Sequence, residues 1–241
     1  MFAAIAPADT DMSRIRVKIC GLTNESDARA AIDAGADAVG VNFWPGSKRF
    51  VEPDAVAPWV ARLPASVTRV VVGVDPTWEQ ALRWLALPGV DALQLHGDES
   101  PAFCSALESH GHRVIKAIRL KSADSLTEAE RMSAATPLLL DSFSPDQPGG
   151  TGRTADWALA AEFVHAHPDR RVILAGGLTA ENVTAAIERV QPFAVDVAGG
   201  VEYSESPRRK DLSRLTSFMR AVSGVKPEWG PAPGAAFRGL Y

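Results

Sequence analysis

Eight short runs rich in β-branched and apolar residues alternate with helix-patterned segments along almost the whole chain. Their starts lie roughly 20–35 residues apart, the length of one strand plus a crossover helix. Several, such as Val70-Val71-Val72-Gly73-Val74, are apolar nearly throughout, as strands covered on both faces are. Together these features point to an α/β fold, a single (β/α)8 TIM barrel near the small end of that architecture's range.

The expected strands are Val17–Cys20, Ala38–Phe43, Arg69–Val74, Asp91–Leu95, Arg113–Ile118, Pro137–Asp141, Arg171–Ala175 and Phe193–Val197. Among the helices, Ser100-Pro101 reads as an N-cap followed by proline at the first helical position, with Phe103 and Leu107 as an i, i+4 pair. Thr179 is expected to cap a helix bearing Val183 and Ile187. In the last helix Leu212, Leu215, Met219 and Val222 recur on one face. A doubly wound open sheet is the alternative, but it usually opens with a glycine-rich turn. Here the first turn is Cys20-Gly21-Leu22-Thr23.

No linker interrupts the array, so one domain is expected over 14–223. It is preceded by an extension, 1–13, and followed by a tail, 224–241, crowded with Pro227, Gly230, Pro231, Pro233 and Gly234. Met12 is the expected natural start or close to it. Residues 1–10 lack the positive flank of a secretory signal. The net charge of −4 and the single short basic run, Arg208-Arg209-Lys210, read as a solvated loop, argue against a nucleic-acid partner. No apolar run is long enough to span a membrane. Two cysteines are too few for a disulfide framework, so a reduced, cytoplasmic enzyme is expected, with a monomer as the default.

In such a barrel the residues at the C-terminal strand ends converge on one pocket. Cys20 ends the first strand and Asp141 the sixth. A thiol there is either a core residue or a reactive group, and Lys18, two residues earlier, would face the same way and favour the thiolate. Asp141 either braces the loop that follows or acts as an acid whose pKa a dry pocket raises. Gly149-Gly150-Thr151-Gly152, Gly176-Gly177 and Gly199-Gly200 follow strands six, seven and eight, where backbone N–H groups can approach a phosphate. Arg49 offers a fork for a carboxylate, though a loop arginine is more often solvated. His96 is a candidate titrating group or a structural histidine. Lys116 is a minor candidate for a Schiff-base amine, and Cys104 reads as a packing or surface residue. No cluster has metal-ligand spacing, so no metal is expected.

Six segments share one further property. Lys18-Ile19-Cys20-Gly21-Leu22-Thr23, Phe43…Ser47-Lys48-Arg49, Gln94-Leu95-His96-Gly97, Asp141-Ser142…Gly150-Thr151-Gly152, Leu174-Ala175-Gly176-Gly177-Leu178 and Val195-Asp196-Val197…Gly200-Val201-Glu202 resemble the phosphoribosylanthranilate isomerase family of tryptophan biosynthesis, in the family's order, over about Arg16 to Val222. The resemblance implies a cofactor-free Amadori rearrangement of a small phosphosugar. It implies Asp141 as general acid and Cys20 as general base. It places Arg49, His96 and Asp196 on the substrate, with Arg49 holding the anthranilate carboxylate. Backbone groups around Gly150, Gly152, Gly176, Gly177, Gly199 and Gly200 would hold the phosphate. One departure is evident: relatives commonly have Ser-Ser-Gly-Val-Glu where this chain has Ala198-Gly199-Gly200-Val201-Glu202. Two competing readings are a lyase or aldolase using Lys116 and a phosphosugar-binding barrel without chemistry.

Overall fold

Every apolar run becomes a strand within two residues of its expected bounds. The computed structural model describes residues 14–142 and 157–226. The strands are β1 (Arg16–Ile19), β2 (Ala38–Asn42), β3 (Thr68–Gly73), β4 (Ala92–Leu95), β5 (Val114–Leu120), β6 (Leu138–Ser142), β7 (Val172–Ala175) and β8 (Ala194–Val197). They pair in parallel and in sequence order, and β8 returns to β1 to close the barrel. The crossover helices are α1 (Glu25–Asp33), α2 (Pro53–Val60), α3 (Trp78–Leu85), α4 (Pro101–Ser109), α5 (Asp124–Arg131), α6 (Trp157–Ala166) and α7 (Val183–Val190). After β8 come a short 3-10 turn, Gly199–Val201, a hairpin of β9 (Glu202–Tyr203) and β10 (Ser206–Lys210), and α8 (Leu212–Ser223).

The period-2 alternation of a strand sorts its side chains into two cores. Ala38, Val70, Ala92, Ile115, Leu139, Ile173 and Ala194 fill the barrel interior. Their neighbours Val39, Val71, Leu93, Val114, Leu138, Val172 and Val195 face the helices instead. Register carries the inward set upward. Leu139 pairs with Ile173, so Asp141 and Ala175, paired two residues later, also face inward. Lys18 pairs with Ala38 and Asp196, which sets Lys18, and Cys20 beyond it, on the inner face.

Local capping agrees with the chain's own signals. Asn24 accepts from Asp27 N, Thr77 and Gln80 form a capping box, and Ser100 accepts from Phe103 N with Pro101 at the first position. Thr179 does not cap α7. Asn182 takes the N-cap position without a side-chain bond to the helix, and its Oδ1 accepts instead from Thr179 N. The buried stripe of α8 is Leu215, Phe218 and Val222, whereas Leu212 is exposed in the first turn. The expected extension and most of the expected tail lie outside the described residues, as do Gly150 and Gly152. Among the described residues no helix is long and apolar enough to cross a membrane.

Candidate active site

The inner face of β1 presents Lys18 and then Cys20 at the C-terminal mouth of the barrel. Lys18 is fully buried, and its Nζ donates to Asp196 Oδ1 at 2.6 Å. A buried ammonium without a counter-charge would be prohibitive, so the pair is obligatory. Gly40 on β2 makes room for both groups: a Cβ there would lie 3.0 Å from Cys20 Sγ and 3.1 Å from Lys18 Nζ. Burial pushes the Cys20 thiol above its ordinary range. The Lys18 ammonium opposes this and the Asp196 carboxylate reinforces it. Lys18 favours the thiolate as expected, but it does not prevail. Its charge is largely answered by Asp196, and desolvation prevails.

Gly21 follows at φ +74, where only glycine is unstrained. A Cβ there would sit 2.2 Å from Arg49 Cδ, so the arginine stem crosses directly over the Cys20 turn. Arg49 is neither solvated nor free. Its Nε and Nη2 donate to Glu202 Oε1 and Oε2 at 2.6 and 2.7 Å. That bidentate pair leaves the Nη1 edge for a ligand. Glu202 was not singled out from the sequence, although it closes the last of the six segments.

Across the barrel, past β8 and β7, stands Asp141 on β6. Its Oδ2 lies 3.3 Å from His96 Nε2, with the side chains 31% and 25% exposed. Gln94 Nε2 donates to His96 Nδ1 at 3.0 Å, so a neutral His96 carries its proton on Nε2 and offers it to Asp141. Arg119 Nη2 holds the His96 carbonyl at 2.9 Å. Asp196, by contrast, is nearly buried against Lys18, one layer below the mouth.

The third glycine site is built by contact between two loops. Gly176 and Gly177, at φ +91 and +62, turn the chain after β7. The 3-10 turn packs against it so closely that a Cβ on Gly200 would lie 1.9 Å from Leu178 O. Gly199 in turn approaches Arg49, whose Nη2 would be 3.3 Å from an added Cβ. The turns bearing Gly176-Gly177 and Gly199-Gly200 therefore pack together, with Gly199 beside Arg49.

Two residues fall away from the site. Lys116 lies between the inward Ile115 and Ala117 and faces outward. Its Nζ donates to Gly97 O at 2.7 Å and Glu99 Oε2 at 2.9 Å, both away from the barrel interior. A Schiff base there is excluded by direction. Lys116→Met should leave Glu99 buried and unpaired, lowering stability by about 3–5 kcal/mol by denaturant titration. Cys104 is buried in α4, where burial pushes its thiol up to about 11. The basic run is likewise not a solvated loop. It forms β10, where Arg209 pairs with Asp27 and Lys210 is buried.

Known proteins carry the same organisation. The family model of N-(5'-phosphoribosyl)anthranilate (PRA) isomerase matches residues 17–221. The N-(5'-phosphoribosyl)anthranilate isomerase of Chromohalobacter salexigens is 47% identical over 213 residues, covering 88% of this chain and 96% of that one. The Pelobacter propionicus enzyme of the same name is 41% identical, covering 89% and 98%. The crystal structure of phosphoribosyl anthranilate isomerase from Thermotoga maritima superposes with a TM-score of 0.80 at 37% identity, covering 88% of this chain and 100% of that one. A second crystal structure of such an isomerase, in complex with reduced 1-(o-carboxyphenylamino)-1-deoxyribulose 5-phosphate, gives a TM-score of 0.75 at 36% identity, covering 88% and 100%. With a family match across the barrel and relatives this similar over nearly their whole length, the chain belongs to the N-(5'-phosphoribosyl)anthranilate isomerase family.

Proposed function

We propose that this chain converts N-(5-phosphoribosyl)anthranilate to 1-(2-carboxyphenylamino)-1-deoxyribulose 5-phosphate, with Cys20 and Asp141 as its acid–base pair. The observation that carries the assignment of roles is their inward placement at the ends of β1 and β6, on opposite sides of one barrel mouth. Asp141 gives a proton to the ribose ring oxygen, and the bond from that oxygen to C1 breaks to leave a Schiff base. The Cys20 thiolate then takes the C2 proton, and the electron pair moves into an enolamine that tautomerises to the ketone. His96, hydrogen-bonded to Asp141, orients the acid and offers a route for its reprotonation.

Arg49 holds the anthranilate carboxylate through its Nη1 edge. Asp196 keeps Lys18 beneath the thiol and offers its second oxygen to a sugar hydroxyl. The phosphate sits against backbone N–H groups at Gly176, Gly177, Gly199 and Gly200. A backbone cradle tolerates Ala198-Gly199 in place of two serines, since each neutral hydrogen bond lost costs only about 0.5–1.5 kcal/mol. Gly200→Ala tests the cradle. Its Cβ would overlap the Leu178 carbonyl, so KM should rise about tenfold or more with a smaller change in kcat, measured by steady-state kinetics.

All these groups come from one chain, which supports activity as a monomer. The cytoplasm, where free thiols persist, is the setting that suits Cys20 and Cys104. Purified protein should convert the substrate to product, and the gene should restore growth to a tryptophan auxotroph lacking this isomerase. Binding without conversion would favour the barrel that has lost its chemistry.

A further inference from the structure

The hairpin after β8 contributes two buried charged residues that the mechanism above does not use. Lys210 is 2% exposed, and each of its three ammonium protons has an acceptor. They are Cys20 O at 2.7 Å, Ala198 O at 3.0 Å and Glu202 Oε1 at 3.1 Å. Those acceptors belong to three different parts of the mouth: the end of β1, the end of β8 and the hairpin itself. Glu202, 3% exposed, accepts from Lys210 on one side and grips Arg49 with both oxygens on the other. Arg214 Nη1 fixes the Glu202 carbonyl at 2.9 Å, and Asp27 accepts from Lys210 N at 2.9 Å, so neither residue can swing away.

We infer that Glu202 and Lys210 are positioning residues for the reaction: Lys210 sets the Cys20 peptide, and with it the thiol, while Glu202 aims the Arg49 guanidinium. This inference rests on the roles given above to Cys20 and Arg49. Stability alone does not explain the arrangement, because a buried ion pair is commonly no more stabilising than well-packed apolar side chains. Charge does. The groups facing Cys20 are Lys18 from β1, Asp196 from β8, Lys210 from β10 and Arg49 from the loop after β2, with Glu202 behind them. Three cations stand against two carboxylates, so the cluster carries one positive charge in excess until Cys20 ionises. Lys210 is the cation whose ammonium donates to the Cys20 carbonyl, the peptide that carries the thiol. Glu202 supplies one of the two carboxylates in that count and, by taking Nε and Nη2 of Arg49, leaves the Nη1 edge for the ligand.

The two residues therefore predict opposite kinetic signatures. In Glu202→Gln one of the two Arg49 contacts weakens, so KM should rise about tenfold with kcat nearly unchanged, as for lost ground-state binding. In Lys210→Met kcat should fall about tenfold or more with a smaller change in KM. The pH profile of Cys20 alkylation by iodoacetamide should then move toward alkaline pH by on the order of one unit. Lys210→Arg keeps the charge and should keep most of that profile. Circular dichroism establishes that each variant is folded. If Lys210→Met fails to fold, Lys210→Arg and Glu202→Gln carry the test. An unchanged alkylation profile in folded Lys210→Met, or in its absence a Lys210→Arg profile displaced by a full unit despite the retained charge, would overturn the role of Lys210. A wild-type KM in Glu202→Gln would overturn that of Glu202. Cys20→Ser is run alongside. Full turnover there would remove the underlying assignment of the thiol, a failure distinct from either of these.

Discussion

Cys20→Ser lowers kcat/KM by about 10³-fold, roughly 4 kcal/mol of transition-state stabilisation, while the protein remains folded and binds substrate. The substitution keeps size and position but replaces a thiol, which can form a thiolate, by a hydroxyl, which ionises far less readily. A stopped assay for product, run with circular dichroism on the same sample, measures it. Wild-type turnover would remove Cys20 from the chemistry. The pH dependence follows from its environment. Burial holds the thiol above its ordinary range, so in the resting protein the base form is the minor one at neutral pH. Below that pKa each added pH unit multiplies the thiolate fraction by about ten. Alkylation of Cys20 should climb with pH to beyond the range of an unperturbed thiol, and the Cys20-dependent limb of kcat/KM should rise in the same direction.

Asp141→Asn is expected to be equally severe, with a loss of about 10³-fold in kcat. Asparagine still fits beside His96 Nε2 and accepts its hydrogen bond, so the geometry of the mouth is kept. What it lacks is a proton to give the ring oxygen. KM should change far less than kcat, since the lost interaction belongs to the transition state. Asp141→Glu is the informative companion. A recovery of activity there would show that the acid matters, whereas undiminished kcat in Asp141→Asn would show that it does not.

The barrel and the two strand-end residues could be read from the chain because both are local patterns. Apolar runs, crossover spacing and caps such as Ser100-Pro101 depend on neighbours a few residues away. The partnerships that tune the site are not local. Lys18 meets Asp196 across 178 residues and Arg49 meets Glu202 across 153, contacts that exist only because β8 closes on β1. Lys210 was hidden for another reason. In a basic triplet, charge alone suggests solvent, and only the distant acceptors Cys20 O, Ala198 O and Glu202 show that this residue is turned inward. Two signals were present and usable. Gly40, alone in an apolar strand, marks close approach of another group, here the thiol. The alternation of Ile115-Lys116-Ala117 already pointed Lys116 away from the barrel interior. Thr179 shows the limit of local rules, because α7 begins a turn later, after Asn182, whose Oδ1 accepts from Thr179 N.

The central claim is that the thiol and the carboxyl serve one bound substrate. Asp141→Asn protein permits a direct measurement, since it should bind the genuine substrate without consuming it. The rate of Cys20 alkylation by iodoacetamide, followed by mass spectrometry, is measured with and without saturating substrate. Protection of Cys20 by at least tenfold, with substrate intact at the end, is the predicted result. Alkylation at an undiminished rate, with substrate bound, would place the two residues in separate sites and contradict the account.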